Sequence, residues 1–211
     1  KVVQVGLNRR FTPAYRRARA IIRQGGIGQV THYLGKYSTG HHPDISGTWP
    51  FLRDQSIHQL DLIRYLVGEV EEVTALLNDR DGKTTFDAVL RFANGAVGLF
   101  TSSEQYGWDK PNEYVEVAGQ GQWLSIDDQI RLTQHPAVPF DAEPILDGGA
   151  SLRWEPSMAL PRSRSLNLQG YAYELAAFAE AVRGKRCEGA PYVEDAWKSL
   201  QLAWAVHESR G

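Results

Sequence analysis

The chain has 211 residues, 42% of them hydrophobic and 23% charged, with a formal net charge of −2 at pH 7. That much apolar material supplies a core for one sizeable domain and excludes a disordered chain, while the charge balance argues against a nucleic-acid partner, which needs clustered excess Lys and Arg. The single Cys187 excludes an internal disulfide and suits a reducing, cytoplasmic setting, and neither a bilayer-spanning apolar run nor a signal-peptide pattern is present.

The opening Val2-Val3-Gln4-Val5-Gly6-Leu7 is short, β-branched and apolar, and predicts a buried strand. Thr12-Pro13 predicts an N-cap with proline at the first helical position, and the helix runs through Tyr15, Ala18, Ile21 and Ile22 to a stop at Gly25-Gly26. Basic residues bunch at Arg9, Arg10, Arg16, Arg17 and Arg19; three of them fall within one helical turn, the pattern of a solvated helix face. Residues 30–37 read as a strand. The following stretch, 38–50, is rich in His, Pro and Gly and long for a compact domain, which makes it a candidate functional loop. A second helix is predicted over 53–67, ending at Gly68.

From Glu69 the apolar period changes from helical to alternating. Residues 70–77 predict a strand with a turn over 79–82, and 86–92 and 97–102 flank Asn94-Gly95, the strongest short hairpin signal. Residues 114–118 and 123–126 flank the tight turn Gly119-Gln120-Gly121, and 131–134 add a short strand. The segment 135–166 carries five prolines and little periodicity and reads as a surface excursion. Two helices close the chain, over about 170–182, with Leu175, Phe178, Ala179 and Val182 apolar, and over about 193–208. Helices at both ends with hairpin-connected strands between them predict an α+β domain, a mostly antiparallel open sheet with helices packed on one face. Strand Asp87-Ala88-Val89-Leu90-Arg91-Phe92 keeps apolar groups on the other face too, which predicts burial against a second copy.

Several blocks resemble one family in order and spacing. They are Val5-Gly6-Leu7-Asn8-Arg9-Arg10-Phe11, Gly25-Gly26-Ile27-Gly28-Gln29-Val30 after the first helix, Asp54-Gln55-Ser56-Ile57-His58-Gln59-Leu60-Asp61-Leu62 with Gly68, the Asn94-Gly95 hairpin, and Tyr173-Glu174-Leu175-Ala176-Ala177-Phe178. Together they resemble the glucose-fructose oxidoreductase, inositol dehydrogenase and rhizopine-catabolism family over nearly the whole chain. Members pair an N-terminal Rossmann domain with a C-terminal antiparallel-sheet domain of the dihydrodipicolinate-reductase-like type. The resemblance implies that residues 1–211 are one substrate-binding and dimerising domain, with 1–8 the last strand and junction of a missing Rossmann domain. It also implies NAD or NADP in the full-length protein and a sugar or polyol substrate, with no cofactor held and no activity expected in this chain alone. The family's Glu-Lys-Pro lysine motif does not occur here, and Gly25-Gly26-Ile27-Gly28 follows a helix and leads into a strand, the reverse of a dinucleotide fingerprint. A glycine run that many members carry before the aspartate is replaced by Trp49-Pro50-Phe51-Leu52-Arg53.

Oxidising a secondary alcohol moves a hydride to nicotinamide and a proton to a base, and histidine has the natural pKa for that base. On a regular helix Asp54, His58 and Asp61 form one stripe, separate from Ile57, Leu60, Ile63 and Val67, and a carboxylate one turn away can orient the imidazole. From spacing alone such a histidine is more often a surface ion-pair residue; by resemblance, Asp54 and His58 match the family's aspartate and histidine beside the substrate. The resemblance also places Asn8, Arg10, Trp49 and Tyr173 on the substrate side. Arg10 can equally brace two domains, Tyr173 can be a pocket wall, Glu174 can serve the helix N-terminus, and Trp49 and Trp108 can pack on the domain rather than on a sugar ring. His41-His42-Pro43-Asp44 is weak as a metal motif without a second cluster, and no metal is expected. A free-standing binding or assembly module of the same fold is the alternative of a different class.

Overall fold

The computed structural model describes residues 1–107, 112–138, 150–156 and 166–209. Trp108 and parts of the 135–166 segment lie outside the described residues. Strands β1 (His32–Ser38), β2 (Val70–Arg80), β3 (Lys83–Phe92), β4 (Val97–Ser103), β5 (Asn112–Ala118), β6 (Trp123–Asp127), β7 (Arg131–His135) and β8 (Leu152–Trp154) form one sheet, ordered β2-β3-β4-β1-β5-β6-β7-β8. Strand β1 inserts between β4 and β5, parallel to β4 and antiparallel to β5, with Gly35 opposite both Phe100 and Val115; the other neighbours are antiparallel. The β2–β3 turn has Asp81 at φ 55° and Gly82 at φ 75°, the two left-handed residues that a tight hairpin requires. The Asn94-Gly95 hairpin forms as expected, and the Asn94 side-chain amide ties it to the Val67 carbonyl at 3.0 Å.

The helices are α1 (Pro13–Arg23), α2 (Thr48–Phe51), α3 (Ile57–Leu66), α4 (Tyr171–Val182) and α5 (Val193–Glu208). Alternation along β3 buries Phe86, Ala88, Leu90 and Phe92, and these join Phe100, Val115, Val117, Leu124 and Ile126 from neighbouring strands. Tyr15 and Ala18 from α1, Phe51 from α2, Leu60 and Ile63 from α3, and Leu202 from α5 complete this core on the same side of the sheet. Phe86 stands edge-on between Phe51 and Phe100, with ring centroids 6.3 and 5.6 Å away. The α+β architecture follows the alternating and helical patterns.

Three local readings change. Val2 and Val3 are exposed rather than buried, and the opening segment pairs only through an isolated Gln4–Tyr192 bridge and the Val5 N–H to Pro191 carbonyl bond. An apolar strand is buried only where a sheet exists to receive it, and none lies beside this one among the described residues. The second helix begins earlier than expected, within the 38–50 stretch, because Pro50 sits in a first turn where its missing N–H costs nothing. The excursion after His135 contributes an edge strand, β8, through three residues that pair with β7. In α4 the apolar residues face outward: Leu175 is 67% exposed and Val182 63%. Only Ala177 and Ala181 of that helix reach the interior.

Candidate active site

Between α2 and α3 the chain makes a π-type turn over Leu52–Ser56. The wider turn adds a residue to the helical register, a feature frequent at functional sites. It also breaks the regular stripe that the spacing of Asp54, His58 and Asp61 implies. Asp54 is exposed, and both its oxygens accept hydrogen bonds from Arg53, at 2.6 Å each. His58 points inward and its Nδ1 is buried without a partner. His58 and Asp54 nevertheless line the same cleft, of about 500 Å³, with Val5, Gly6, Ile57 and Trp197. Burial first, and then the nearby Arg9 charge, push the His58 imidazole down to about 4. At pH 7 it is a neutral ring with a free acceptor, the form that can take up a proton.

Asp61 belongs to the interior. It is fully buried; Arg10 donates to it from Nε at 2.6 Å and from a terminal nitrogen at 2.7 Å, and the Ser199 hydroxyl donates at 2.8 Å. Ser199 in turn accepts from Arg64 at 2.6 Å, and Arg64 forks onto Glu69 with two 2.9 Å bonds. Arg10 thereby joins the Asn8–Phe11 turn to α3 within this domain, and its arginine fork suits a buried carboxylate. Asn8 is buried as well and donates to the Gln169 carbonyl at 2.8 Å. Both side chains were expected beside substrate; their burial commits their donors to protein acceptors instead. Gly170, at φ 90°, makes the last of these contacts possible, since a Cβ there would collide with the Asn8 carbonyl and the Thr12 N–H.

Tyr173 lines a separate cavity of about 240 Å³ with Arg10, Tyr65 and Glu188, and lies under the Arg16 guanidinium. Trp49 packs edge-on against Trp204 at 4.9 Å, in an apolar cleft of about 560 Å³ that shares Trp197 and Leu200 with the His58 cleft but not Trp49 itself. The structure thus gathers His58 and Asp54 in one cleft and Arg10 and Tyr173 in a second, and places Trp49 and Asn8 apart from both. Sequence reasoning also passed over Glu113, grouped Arg9 with a solvated basic cluster and left Glu174 to the helix N-terminus. Arg9 and Glu113 are buried 3.3 Å apart, and the Tyr15 hydroxyl donates to Glu113 at 2.5 Å. A signal existed for Glu113, a carboxylate on the inward-facing side of β5 in step with Val115 and Val117. Glu174 borders a smaller cleft on Gln4, Val5 and Gly6, and burial lifts its carboxyl to about 7.

The family model for the GFO/IDH/MocA C-terminal domain matches residues 15–125, more than half of the chain. The chain belongs to the GFO/IDH/MocA family. An uncharacterised oxidoreductase, YrbE, of Bacillus subtilis is 35% identical over 132 residues, covering 56% of this chain and 38% of that protein. The inositol 2-dehydrogenase of Pseudomonas fluorescens is 26% identical over 221 residues, covering 98% of this chain and 57% of that protein. A dehydrogenase structure from Chromobacterium violaceum superposes with a TM-score of 0.81 at 19% identity, covering 99% of this chain and 61% of its own. Levoglucosan dehydrogenase in complex with NADH gives 0.78 at 23% identity, covering 98% and 63%. The last two comparisons concern the fold. In each case this GFO/IDH/MocA chain spans less than two thirds of the other protein's length.

The residues of this family member that were compared with a dinucleotide site do not fit one. Gly25 and Gly28, at φ 76° and 69°, close the turn between α1 and β1, and the Ile27 carbonyl accepts from the Gln120 N–H. That is a helix-to-strand connection, whereas pyrophosphate needs a strand leading into a helix N-terminus. Among the described residues no group of three His, Cys, Asp or Glu side chains converges to hold a metal. His41 is paired with the buried Glu104. No helix among the described residues is long and apolar enough to cross a membrane.

Proposed function

We propose that this chain is the substrate-binding and dimerising part of an NAD(P)-dependent oxidoreductase, one that oxidises a secondary alcohol of a sugar, polyol or related small molecule. The nucleotide-binding half lies outside residues 1–211 in this reading, and the working compartment is the reducing cytoplasm. The observation that carries it is the neutral, unpartnered His58 nitrogen in a cleft walled by the opening segment 5–7, in a chain whose relatives include inositol dehydrogenases. The dinucleotide takes the hydride when bound; the contribution of this chain is the proton. His58 accepts it from the substrate hydroxyl, and Asp54 stabilises the imidazolium that results. The exposed Arg53–Asp54 pair is worth about 0–1 kcal/mol, so turning the carboxylate toward His58 costs little. The complete protein, offered a panel of inositols and aldoses with NAD or NADP, is expected to reduce the dinucleotide with at least one of them, while the 211-residue chain alone turns over none. A complete protein inert toward the whole panel would count against the substrate class.

Dimerisation rests on the uncovered face of the sheet. Val89 lies opposite Leu99 and Leu99 opposite Leu34, an apolar row across β3, β4 and β1. Leu76 on β2 is 71% exposed and Val89 58%. A broad apolar face of this kind is a liability in water unless a second copy covers it. Light scattering at micromolar concentration is expected to give a dimer, and V89K together with L99K a monomer. A parent chain that scatters as a monomer would remove the sheet face from the proposal.

A further inference from the structure

Helix α5 carries two apolar stripes. Ser199, Leu202, Ala203 and Val206 face the core, while Trp197 and Trp204, two turns apart, stand 58% and 50% exposed on the other side. The outer stripe is continuous. Val193, Ala196, Trp197 and Leu200 wall the His58 cleft, and Trp197, Leu200, Gln201, Trp204, Ala205 and Glu208 wall the cleft of about 560 Å³ that follows it. These positions recur at intervals of three and four residues, so a single helix face runs through both clefts in succession. Trp197 and Trp204 lie about 10 Å apart along that face, at 1.5 Å of rise per residue. Each cleft has the size of a small-molecule site, roughly 300–1,000 Å³.

The far cleft suits a ring with a hydroxylated edge. Trp49 enters from α2 and meets Trp204 edge-on, at 4.9 Å and 85°, so that the two indoles form a corner. The His207 ring lies beside both, at 5.6 and 5.3 Å. The negative face of an indole attracts the partly positive C–H face of a sugar ring. Gln201, which donates and accepts, and Glu208, which accepts, are the exposed polar groups of this cleft, placed to meet the hydroxyls of such a ring. A hydrocarbon occupant would use the indoles and leave both polar groups idle. A second copy of the chain has the opposite face of the sheet to cover, where Val89 and Leu99 are exposed. The far cleft instead shares Trp197 and Leu200 with the cleft that holds His58.

We propose that the outer stripe of α5 is the floor of an extended substrate site, in which one sugar ring meets His58 and a second, glycosidically linked ring stacks on Trp204 and Trp49. The preferred substrate is then a disaccharide or other glycoside, with free monosaccharides bound more weakly. The inference rests on the reading of the His58 cleft as the place of sugar or polyol oxidation. Trp197, common to both clefts, lies at the junction of the two rings. Trp204, Trp49 and Gln201 touch no reacting atom. They add binding that ground state and transition state share, which lowers KM and leaves kcat alone.

The test is an NMR titration of the 211-residue chain, without dinucleotide, with glucose and with its dimers cellobiose, maltose and trehalose. Binding is read at the Trp197 and Trp204 indole N–H signals, assigned with Trp197→Phe and Trp204→Phe. At least one dimer is expected to bind about tenfold more tightly than glucose, the worth of a stacked ring. Trp204→Ala is expected to remove that preference. Gln201→Ala, on the exposed surface, covers the case in which Trp204→Ala fails to fold, and is expected to weaken the dimer by about two- to tenfold. A panel in which no dimer binds more tightly than glucose would overturn the proposal. So would a preference that survives Trp204→Ala, or one undiminished in Gln201→Ala where Trp204→Ala does not fold. In the complete protein, before any sugar is added, the Trp204 indole is expected to stay open to acrylamide, measured as the quenching lost in Trp204→Phe. A shielded indole would mean that protein covers α5, and would end the proposal too. Because binding is read without dinucleotide, a failure here is distinct from a complete protein that oxidises nothing on the inositol and aldose panel.

Discussion

His58→Ala in the complete protein, assayed at pH 7, is expected to lower turnover by about 10²–10⁴, the usual worth of a positioned general base. The imidazole is the cleft's one buried acceptor without a partner among the described residues, so nothing beside it can take over the proton. Asp54→Asn should cost less, because the ring stays in place and only the charge that stabilises imidazolium is lost. The pH profile carries the same signature. Burial and Arg9 hold His58 down to about 4, so the acid limb of kcat/KM should fall well below the ordinary histidine range near 6.5. Neither substitution touches the core built by Leu60 and Ile63, so thermal unfolding should change little. A folded His58→Ala enzyme with undiminished turnover would end the general-base assignment.

The largest expected effect on stability lies one helical turn away. Asp61→Ala is expected to destabilise the fold by about 3–5 kcal/mol, as breaking a buried ion pair from one side does. The loss comes less from the missing carboxylate than from what it abandons. Arg10 is 4% exposed and would keep its charge with Asp195 and the Gly189 carbonyl at 3.4 and 3.2 Å and the Tyr65 ring beside it. Ser199 would lose its acceptor, and with it the fixed point that positions Arg64. Guanidinium denaturation of the 211-residue chain measures this directly. Asp61→Asn, which retains an acceptor, should fall between the parent and the alanine variant. A loss below about 1 kcal/mol for Asp61→Ala, the range of an exposed pair, would mean that water reaches Arg10.

Contrasting these two positions shows what spacing can and cannot convey. Asp54, His58 and Asp61 looked like one surface stripe because a regular helix would make them so. The π-type turn shifts Asp54 out of step, and the partners that decide Asp61 lie 51 and 138 residues away in sequence, in Arg10 and Ser199. Arg9 and Arg10 read as part of a solvated basic cluster for the same reason: a charge on a short segment looks exposed until a distant carboxylate buries it. Arg16 and Arg17, which have no such partner within the core, are exposed as the local pattern implies.

Local chemistry was enough wherever a residue's fate depends on its immediate neighbours. Asn94-Gly95 closes a hairpin because glycine accepts a left-handed backbone, Thr12-Pro13 opens α1 because proline suits a first helical turn, and alternation in β3 puts Phe86, Leu90 and Phe92 on one face. Tertiary structure alone decided what those faces meet. Amphipathic periodicity locates the apolar residues of α4 but not their cover, and Leu175 and Val182 stand in solvent. The same holds for Val2 and Val3, whose strand-like composition has no sheet beside it among the described residues. Burial is a property of pairs of surfaces, and one segment's sequence specifies only its own.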